Sequence, residues 1–245
     1  RGQWPLGGLP WGRLGYATVD TSWVGLLPYV GVTGTGFVLV MLAALGADLA
    51  RRPSRITAGL CGAAVVVSLA PLAVPFVVEQ EGAWTVAVVQ GGVPGAGNDV
   101  GSNHREVTRN HMAATVELAA RVGRDEEVRP DLVIWPENST AVDPVTDGVA
   151  RVAIEQAVGA IGVPVLVGAL TDGVAADQVL NEGIVWGLEG PSVTRYTKHH
   201  PVPFGEYIPF RSVLEGLSPR FERIPRDMVA GTGSEPLVIG GVRVA

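Results

Sequence analysis

Two long apolar stretches dominate the first third of the chain. No charged residue occurs from Thr21 to Ala47 or from Ile56 to Val78. Each stretch exceeds the roughly 18 residues that a membrane-spanning helix needs, and the second would extend about 35 Å as an α-helix. The alternative is a pair of core helices in a soluble protein, but such helices are rarely apolar on every face. The pattern therefore predicts two transmembrane helices within residues 23–78.

A short basic segment separates the two stretches. Three arginines fall within residues 50–55, and loops on the cytoplasmic side of a membrane are enriched in arginine and lysine. We therefore place this loop in the cytoplasm and everything after residue 78 outside it. Residues 1–22 are rich in glycine, proline and tryptophan, and we expect them to form an interfacial loop.

Three glycines in the first apolar stretch, Gly31, Gly34 and Gly36, allow two interpretations. Small residues at this spacing permit close helix packing in lipid. They are equally typical of an irregular start to the helix, which Pro28 also favours. The sequence leaves both interpretations open.

Beyond about Glu79 the pattern becomes that of a folded domain. Short apolar runs predict strands, and runs with helical spacing lie between them. The predicted strands are 85–90, 132–135, 163–170, 183–187, 192–196 and a pair within 236–244, and the predicted helices are 103–122, 147–161 and a turn at 213–217. Strands that alternate with helices and then form hairpins indicate an α/β domain with a mixed sheet at residues 79–245.

Composition supports a membrane protein and argues against a nucleic-acid partner. Charged residues make up 17% of the chain, below the roughly 25% of soluble domains, and the mean hydropathy is +0.30. The net charge of −6 is the wrong sign for binding nucleic acid. The one cysteine, Cys61, lies inside the second apolar stretch, where we expect a small apolar packing role rather than catalysis.

The candidate chemistry lies where two predicted strands end. The strand at residues 132–135 stops at Pro136, so Glu137 falls just beyond its carboxyl end, which is the edge where open α/β sheets bind ligands. Lys198 and Glu206 follow another strand in a proline-rich loop. A carboxylate there can act as a general base, and a lysine beside it can stabilise an oxyanion. The alternative is three solvated loop charges.

The motifs around these residues resemble the nitrilase superfamily and, within it, the apolipoprotein N-acyltransferase family. The resemblance rests on Val88-Val-Gln-Gly91, on Val133-Ile-Trp-Pro-Glu-Asn138 and on Tyr196-Thr-Lys-His-His-Pro-Val-Pro-Phe-Gly-Glu-Tyr-Ile-Pro209, the most specific of them. Pro10-Trp11 with Leu14-Gly15-Tyr16, ahead of a predicted membrane helix, is also similar to that family. The resemblance covers most of the chain and implies a nitrilase-like α-β-β-α domain.

The resemblance implies acyl transfer by a Glu-Lys-Cys triad. Glu137 matches the general base, Lys198 the oxyanion-stabilising lysine, and Glu206 a second glutamate near the lysine. Substrate-binding positions are matched by Trp11, Asn181 and Tyr207. The implied reaction moves an acyl chain from a phospholipid to a cysteine thiolate, and from the thioester to the amino group of a diacylglyceryl-cysteine at a lipoprotein N-terminus. It needs no cofactor and no metal, and both substrates are met at a membrane.

Two features depart from the family pattern. The family's nucleophilic cysteine follows a strand downstream of the lysine, and no cysteine follows Cys61 here. We therefore expect a domain that is incomplete at its C-terminal end, and a chain that is inactive as given. The loop at residues 91–103 also lacks the tryptophan that the family often carries there, so substrate contacts made by that tryptophan are in doubt.

Two other functions fit parts of the sequence. A membrane-tethered amidase of the nitrilase type would share the triad and use water as the acceptor. Similar domains are also found fused to, or anchoring, a polyprenol-phosphate mannose synthase in some actinobacteria, so a non-catalytic membrane partner of that enzyme is a further alternative. The pair Glu137 and Lys198 favours an enzyme over a partner.

Overall fold

The structure is a computed structural model that divides into two compact units. It describes residues 12–74, 76–77, 82–94, 104–214, 216, 224–233 and 235–244. The first unit is Arg1–Glu81 and the second is Gly82–Ala245. The predicted site residue Trp11 and most of the loop at 91–103 lie outside the described residues.

The first unit contains two long apolar helices. Helix α1 spans Leu27–Arg51 and follows a 3-10 turn, and helix α2 spans Arg55–Leu69 and continues into a second 3-10 turn at Ala70–Leu72. Both helices are long and apolar enough to cross a membrane, and only 6% of the most apolar 18-residue window of each is buried. Core helices of a soluble protein would be mostly buried, so this exposure agrees with the membrane prediction.

Helix α1 is kinked near its start. Gly31 has φ +64° and ψ −179°, values that favour glycine, and the Thr35 hydroxyl donates to the Gly31 carbonyl oxygen at 2.8 Å. The glycine-rich segment therefore does mark an irregular helix start. The packing interpretation also has support, because a Cβ on Gly36 would lie 3.6 Å from the backbone nitrogen of Gly15, in an earlier 3-10 turn at Leu14–Thr18.

Helix α2 is shorter than its apolar stretch suggests. The uncharged run reaches Val78, but the α-helix ends at Leu69 and its 3-10 extension at Leu72. Pro71 explains the difference, because its ring would clash with the carbonyl four residues earlier in a continuing α-helix. At its other end the helix begins with the Ser54 side chain accepting from the backbone N–H of Thr57 at 3.0 Å.

In the residues that the structure describes, the second unit contains eight strands and three helices. The strands are β1 Val86–Val88, β2 Leu132–Ile134, β3 Val165–Asp172, β4 Gln178–Gly187, β5 Gly190–Thr197, β6 Asp227–Met228, β7 Leu237–Ile239 and β8 Val242–Val244. The helices are α3 His104–Gly123, α4 Gly148–Ile161 and α5 Arg211–Leu214.

Six strands form one mixed sheet in the order β1-β2-β3-β4-β5. Strands β1, β2 and β3 run parallel, whereas β4 is antiparallel to both β3 and β5. Strand β6 pairs in parallel with the start of β4. The remaining strands, β7 and β8, form a separate antiparallel hairpin that turns at Gly240 and Gly241, both with positive φ.

The two faces of the main sheet are covered differently. On one face, Val133, Val167 and Ile184 pack with α3 and α4 into the larger core. On the other, Leu132 packs with Leu237 and Ile239 of the β7–β8 hairpin. Successive strand residues point to opposite faces, and β2, β3 and β4 each contribute residues to both layers. We call these surfaces the helix face and the hairpin face.

The predicted mixed α/β sheet preceded by two apolar helices is confirmed. Helix α4 begins at Gly148, with the Asp147 side chain accepting from the backbone N–H groups of Val149 and Ala150. Strand β4 begins earlier than predicted, at Gln178, because its start pairs with β3 and β6. The predicted turn at 213–217 also begins earlier, at Arg211; residues 215 and 217 lie outside the described residues.

Candidate active site

Glu137 lies just beyond the carboxyl end of β2, in the middle of the main sheet. Trp135 continues the β2 pairing by donating its backbone N–H to Leu166 at 2.9 Å. Pro136 then ends the ladder, since it has no N–H to donate. The turn that carries Glu137 includes Asn138 at φ +59°, a left-handed conformation that asparagine tolerates better than most residues. The Glu137 side chain remains 53% exposed.

The turn that carries Glu137 packs closely against Gly168 on the neighbouring strand β3. A Cβ on Gly168 would lie 2.3 Å from the Pro136 carbonyl oxygen and 2.7 Å from the Glu137 Cα. The same strand holds the turn by hydrogen bonds, because the Gly168 carbonyl accepts from the Ser139 hydroxyl at 2.8 Å and from the Thr140 N–H at 3.2 Å. Strand β3 therefore sets the position of the Glu137 backbone.

We expect Gly168→Ala to move Glu137 and to destabilise the second unit. Backbone atoms that meet a new Cβ at 2.3 and 2.7 Å must shift, and such overpacking typically costs about 1–3 kcal/mol. Thermal unfolding of the full-length protein would measure the loss. Gly159→Ala is the matched control, because nothing lies within 4 Å of a Cβ there and alanine favours the α4 helix. Equal midpoints for the two variants would contradict the close approach.

Lys198 follows directly after β5 and is fixed through its backbone. Its N–H donates to the Asn181 carbonyl oxygen on β4 at 2.8 Å, and its own carbonyl accepts from the Gly231 N–H at 2.9 Å. A Cβ on Gly231 would lie 2.3 Å from the Thr197 carbonyl oxygen. Residues on both sides of the β5 end thus hold Lys198 close to β4.

The side chains of Glu137, Lys198, Glu206 and Asn181 form one cluster. Lys198 Nζ donates to Glu137 Oε1 at 2.7 Å and to Glu206 Oε1 at 2.8 Å. Asn181 Nδ2 donates to the same Glu137 oxygen at 2.5 Å. The ammonium group therefore lies between two carboxylates, one from the end of β2 and one from the loop after β5. Four of the six predicted site residues are brought together in this way.

Glu206 is held by its own loop. Its second oxygen, Oε2, accepts from the Val202 N–H at 2.7 Å, and its side chain is 13% exposed. Its backbone carbonyl accepts from the Met228 N–H at 2.8 Å. Glu206 is thus more deeply buried and more fully bonded than Glu137, which suits an orienting role better than a proton-transfer role.

The cluster shifts the acidity of its members. Hydrogen bonds from Lys198 and Asn181 lower the pKa of Glu137, although burial acts in the opposite direction. Burial by itself would lower the pKa of Lys198, but its hydrogen bonds to Glu137 and Glu206 outweigh that effect and raise it. Both groups are therefore charged at neutral pH, so Glu137 is available as a proton acceptor and Lys198 as a proton donor in hydrogen bonds.

The pKa of Lys198 can be measured directly, and we expect it to lie above the ordinary lysine value of about 10.4. The ion pair then stabilises the fold below that value and weakens as the pH rises through the folded-state pKa. Competitive acylation at several pH values, read by mass spectrometry, would give the titration curve, and Lys198 is the only lysine in these 245 residues. Glu137→Gln should shift the curve to lower pH. An unchanged curve would show that the pair does not form.

A cavity of about 350 Å³ opens beside the cluster. It is lined by Trp135, Glu137, Leu166, Gly168, Asn181, Glu182, Gly183, Tyr196 and Lys198. A carboxylate and an ammonium group thus border an otherwise largely apolar cavity, which is typical of a site where a few polar groups orient an apolar ligand.

The loop after β1 reaches the same region through α3. Gln90 Oε1 lies 3.0 Å from His111 Nε2, while His111 Nδ1 lies 2.8 Å from the Val107 carbonyl oxygen. Burial lowers the pKa of His111 despite the bond to that carbonyl. The neutral imidazole then donates from Nδ1 and accepts at Nε2, which requires the Gln90 amide to present its NH₂ group. This network ties Gln90 to α3 beside Trp135, whose ring centroid lies 5.4 Å from that of His111.

Of the other two predicted site residues, the structure describes only Tyr207. Trp11 is outside the described residues. Tyr207 follows Glu206 and is half-buried, and its backbone carbonyl accepts from the Phe204 N–H at 2.8 Å. His199 stacks on Tyr196 with ring centroids 5.7 Å apart, and its Nε2 contacts the Gly233 carbonyl oxygen. Within the described ranges, no group of three or more His, Cys, Asp or Glu side chains could hold a metal ion.

Sequence reasoning missed the residues that position the cluster. Gly168 and Gly231 are required by close backbone approaches, and Glu182, beside Asn181, makes a buried network with Thr171, Arg195 and Thr197. A glycine within a predicted strand is a recognised signal of close backbone approach, so Gly168 was open to prediction. Gly231 lies in an irregular segment, where the sequence carries no comparable signal.

Comparison with known proteins gives one consistent family. Residues 1–45 match the family model described as "Apolipoprotein N-acyltransferase N-terminal domain". The chain is 38% identical over 167 residues to an apolipoprotein N-acyltransferase of Mycolicibacterium smegmatis, which covers 66% of the chain and 28% of that protein. It is 30% identical over 249 residues to the protein of that name from Azotobacter vinelandii, and the match covers 96% of the chain and 45% of that protein. The Haemophilus influenzae relative is 25% identical over 259 residues, which cover 98% of the chain and 47% of that protein. The chain thus spans less than half the length of these relatives.

Proposed function

Because the chain belongs to the apolipoprotein N-acyltransferase family, we propose that the whole protein transfers an acyl chain from a phospholipid to a lipoprotein. The acceptor is the α-amino group of an N-terminal diacylglyceryl-cysteine. The observation that carries this proposal is the placement of Lys198 Nζ between Glu137 and Glu206 at the mouth of a cavity of about 350 Å³. This arrangement supplies a proton acceptor and an oxyanion-stabilising cation at one point.

In the first half-reaction, Glu137 removes the proton from a cysteine thiol. The thiolate attacks the ester carbonyl carbon of the phospholipid, and Lys198 donates a hydrogen bond to the oxyanion that forms. The carbon–oxygen bond to the lysophospholipid then breaks, and the proton on Glu137 passes to the departing oxygen. The acyl chain remains on sulfur as a thioester.

In the second half-reaction, the lipoprotein amine attacks the thioester carbonyl carbon. Glu137 accepts the proton that the amine loses, and Lys198 again stabilises the oxyanion. The carbon–sulfur bond breaks, the thiolate recovers its proton, and the product is an amide. Glu206 orients Lys198 in both steps, and Asn181 orients Glu137. We place the nucleophilic thiol outside residues 1–245, whose one cysteine, Cys61, lies in α2.

We further propose a nitrilase-like α-β-β-α architecture for residues 79–245. Support comes from the layering of the second unit, in which α3 and α4 cover the helix face of the main sheet. The β7–β8 hairpin covers part of the opposite face, where a second sheet of that architecture would lie. The same proposal includes an interfacial loop at residues 1–22 and two membrane helices within residues 23–78.

We also propose that α1 and α2 cross the membrane with residues 50–55 in the cytoplasm and residues 79–245 outside. The three arginines at 51, 52 and 55 support this orientation. Exposed apolar side chains near the cluster support a lipid substrate: Val202 and Phe210 flank Glu206 in sequence and are 43% and 68% exposed. The alternative of a mannose synthase partner has no support from the relatives' names, which describe an acyltransferase.

A two-step mass-spectrometric assay on the full-length protein tests the proposed function. Incubation with a phospholipid that carries an isotope-labelled acyl chain should add one acyl group, released by neutral hydroxylamine as a thioester would be. Adding a diacylated lipopeptide should then move the label to its amino terminus. Release of labelled fatty acid into water, with the lipopeptide unmodified, would identify a hydrolase instead. The absence of any acyl adduct would contradict the proposal.

A further inference from the structure

Glu182 is a buried carboxylate that the proposed chemistry does not use. Its side chain is 7% exposed. Oε2 accepts from the Thr171 hydroxyl at 2.7 Å and from Arg195 Nη1 at 3.1 Å, while Oε1 accepts from the Thr197 hydroxyl at 3.1 Å. Burying a carboxylate is costly unless it is paired and hydrogen-bonded, and here both oxygens have partners. The network is therefore a specific feature of this part of the sheet.

The network joins three neighbouring strands at the level of the site. Thr171 lies on β3, Glu182 on β4, and Thr197 and Arg195 on β5. Because strand residues alternate between faces, Glu182 shares the helix face with Ile184, which packs in the larger core. Asn181, one residue earlier, bonds Glu137, and Lys198, one residue after Thr197, bonds both Glu137 and Glu206.

The pairing that holds Lys198 on β4 is short. Register runs from Glu182↔Thr197 through Gly183↔Tyr196 to Ile184↔Arg195, and then shifts at a bulge between Ile184 and Trp186. Such a bulge interrupts the ladder, so the more distant Trp186↔Pro191 pairing does not fix the register at the site. The Glu182 side chain adds a second link across the Glu182↔Thr197 pair and a diagonal link to Arg195, the register partner of Ile184.

We propose that Glu182 is a positioning residue for Lys198. By holding Thr197 on one side and Thr171 on the other, its carboxylate fixes the register of β5 on β4 and so the distance from Lys198 Nζ to Glu137. The role given to Lys198 rests on the proposed function, but the placement of its ammonium group does not. The side-chain bonds of Glu182 go to Thr171, Arg195 and Thr197, so it acts on Lys198 through the neighbouring Thr197.

Substitutions that leave the net charge unchanged separate the positioning of Lys198 by Glu182 from a direct effect of the Glu182 charge. Thr197→Val keeps the branched shape and removes the hydroxyl that donates to Glu182, whereas Thr197→Ser keeps the hydroxyl. Glu182→Asp keeps the charge but is one methylene shorter, so it no longer reaches the donors on both sides. The groups that bond the Lys198 ammonium, Glu137 and Glu206, are unaltered in all three variants of the full-length protein.

The readout is the pH dependence of Lys198 acylation, measured peptide by peptide. In Thr197→Val and Glu182→Asp the ammonium should leave its two carboxylates, and the labelling rate at a fixed pH near 9 should rise about threefold or more, since half a pKa unit corresponds to about that factor. Thr197→Ser, which keeps the hydroxyl, should give the same labelling curve as the wild type. Backbone hydrogen exchange of the Lys198 N–H, which bonds Asn181, should accelerate in the same two variants.

A control for lost stability uses Ile154→Val on α4, a fully buried position that has no bond to the network. This variant should lower the unfolding midpoint yet leave the Lys198 titration unchanged. The proposal is overturned if Thr197→Val and Glu182→Asp lower stability while their Lys198 curves superimpose on that of the wild type. Because no readout here uses acyl transfer, failure of the proposed function would show only in the two-step assay.

Discussion

Replacing Glu137 with glutamine in the full-length protein should lower the rate of thioester formation by about 10²–10⁴-fold, the usual contribution of a general base. Glutamine keeps the size of the side chain and an oxygen that can accept from Asn181 and Lys198, which lie 2.5 and 2.7 Å from the Glu137 oxygen. It cannot accept the thiol proton. The fold and the cavity should therefore persist while the chemical step is lost, so kcat should fall far more than KM rises.

The pH profile of this variant is part of the same prediction. Hydrogen bonds from Lys198 and Asn181 lower the pKa of Glu137, so activity in the wild type should fall as the pH drops through that lowered pKa, below the ordinary glutamate range. The residual rate of Glu137→Gln should lack this acidic limb. Glu126→Gln is the matched control, because Glu126 pairs with Arg124 on the surface, at 2.8 Å. Activity of Glu137→Gln within a factor of a few of the wild type would remove Glu137 from the chemistry.

The second large effect is expected for Lys198→Met. Methionine keeps most of the aliphatic stem and removes the ammonium group, so no cation remains to stabilise the oxyanion in either half-reaction. Loss of a single oxyanion donor typically costs about 10²–10³ in kcat. The substitution also removes the cation that Glu137 and Glu206 share, since Lys198 Nζ lies 2.7 Å from a Glu137 oxygen and 2.8 Å from a Glu206 oxygen. The two carboxylates would then repel each other.

That loss of charge gives the variant a distinctive signature. Without Lys198, the pKa of Glu137 should rise, because the hydrogen bond from Lys198 is the main cause of its lowering. Any residual activity should then have its acidic limb at higher pH than the wild type. Arg226→Met is the control, since Arg226 pairs with Asp172 at 2.6 Å in an exposed ion pair. A Lys198→Met enzyme with normal kcat would show that the oxyanion is stabilised elsewhere.

Much of the site could be predicted because its residues follow strand ends. The short apolar run before Pro136 marks a buried strand that stops abruptly, and the ends of strands determine which loops meet. Glu137 was identified in this way, and the structure does bring it to Lys198 and Glu206. The family motifs added Asn181, whose position within β4 carries no local signal.

The contacts made by the supporting residues could not be found by the same reasoning, even though a glycine within a strand, as at Gly168, is a general signal of a close approach. Gly168 is needed because the Glu137 turn crosses it, and Gly231 because its segment crosses the end of β5. These contacts join segments that are about 30 residues apart, and hydrophobic periodicity reports only which face a residue occupies. Glu182 breaks the apolar pattern of β4, and only the placement of Thr171, Arg195 and Thr197 around it explains why a carboxylate is tolerated there.

The kink at Gly31 determines how the first unit would match a bilayer. The straight part of α1 after the kink is about 30 Å long, and α2 with its 3-10 turn about 27 Å, at 1.5 Å per residue. A hydrocarbon core is about 30 Å thick, so each leg of the hairpin is about as long as that core. An unkinked α1 would instead be several ångströms too long and would have to tilt. One left-handed glycine thus relieves hydrophobic mismatch in the proposed membrane orientation.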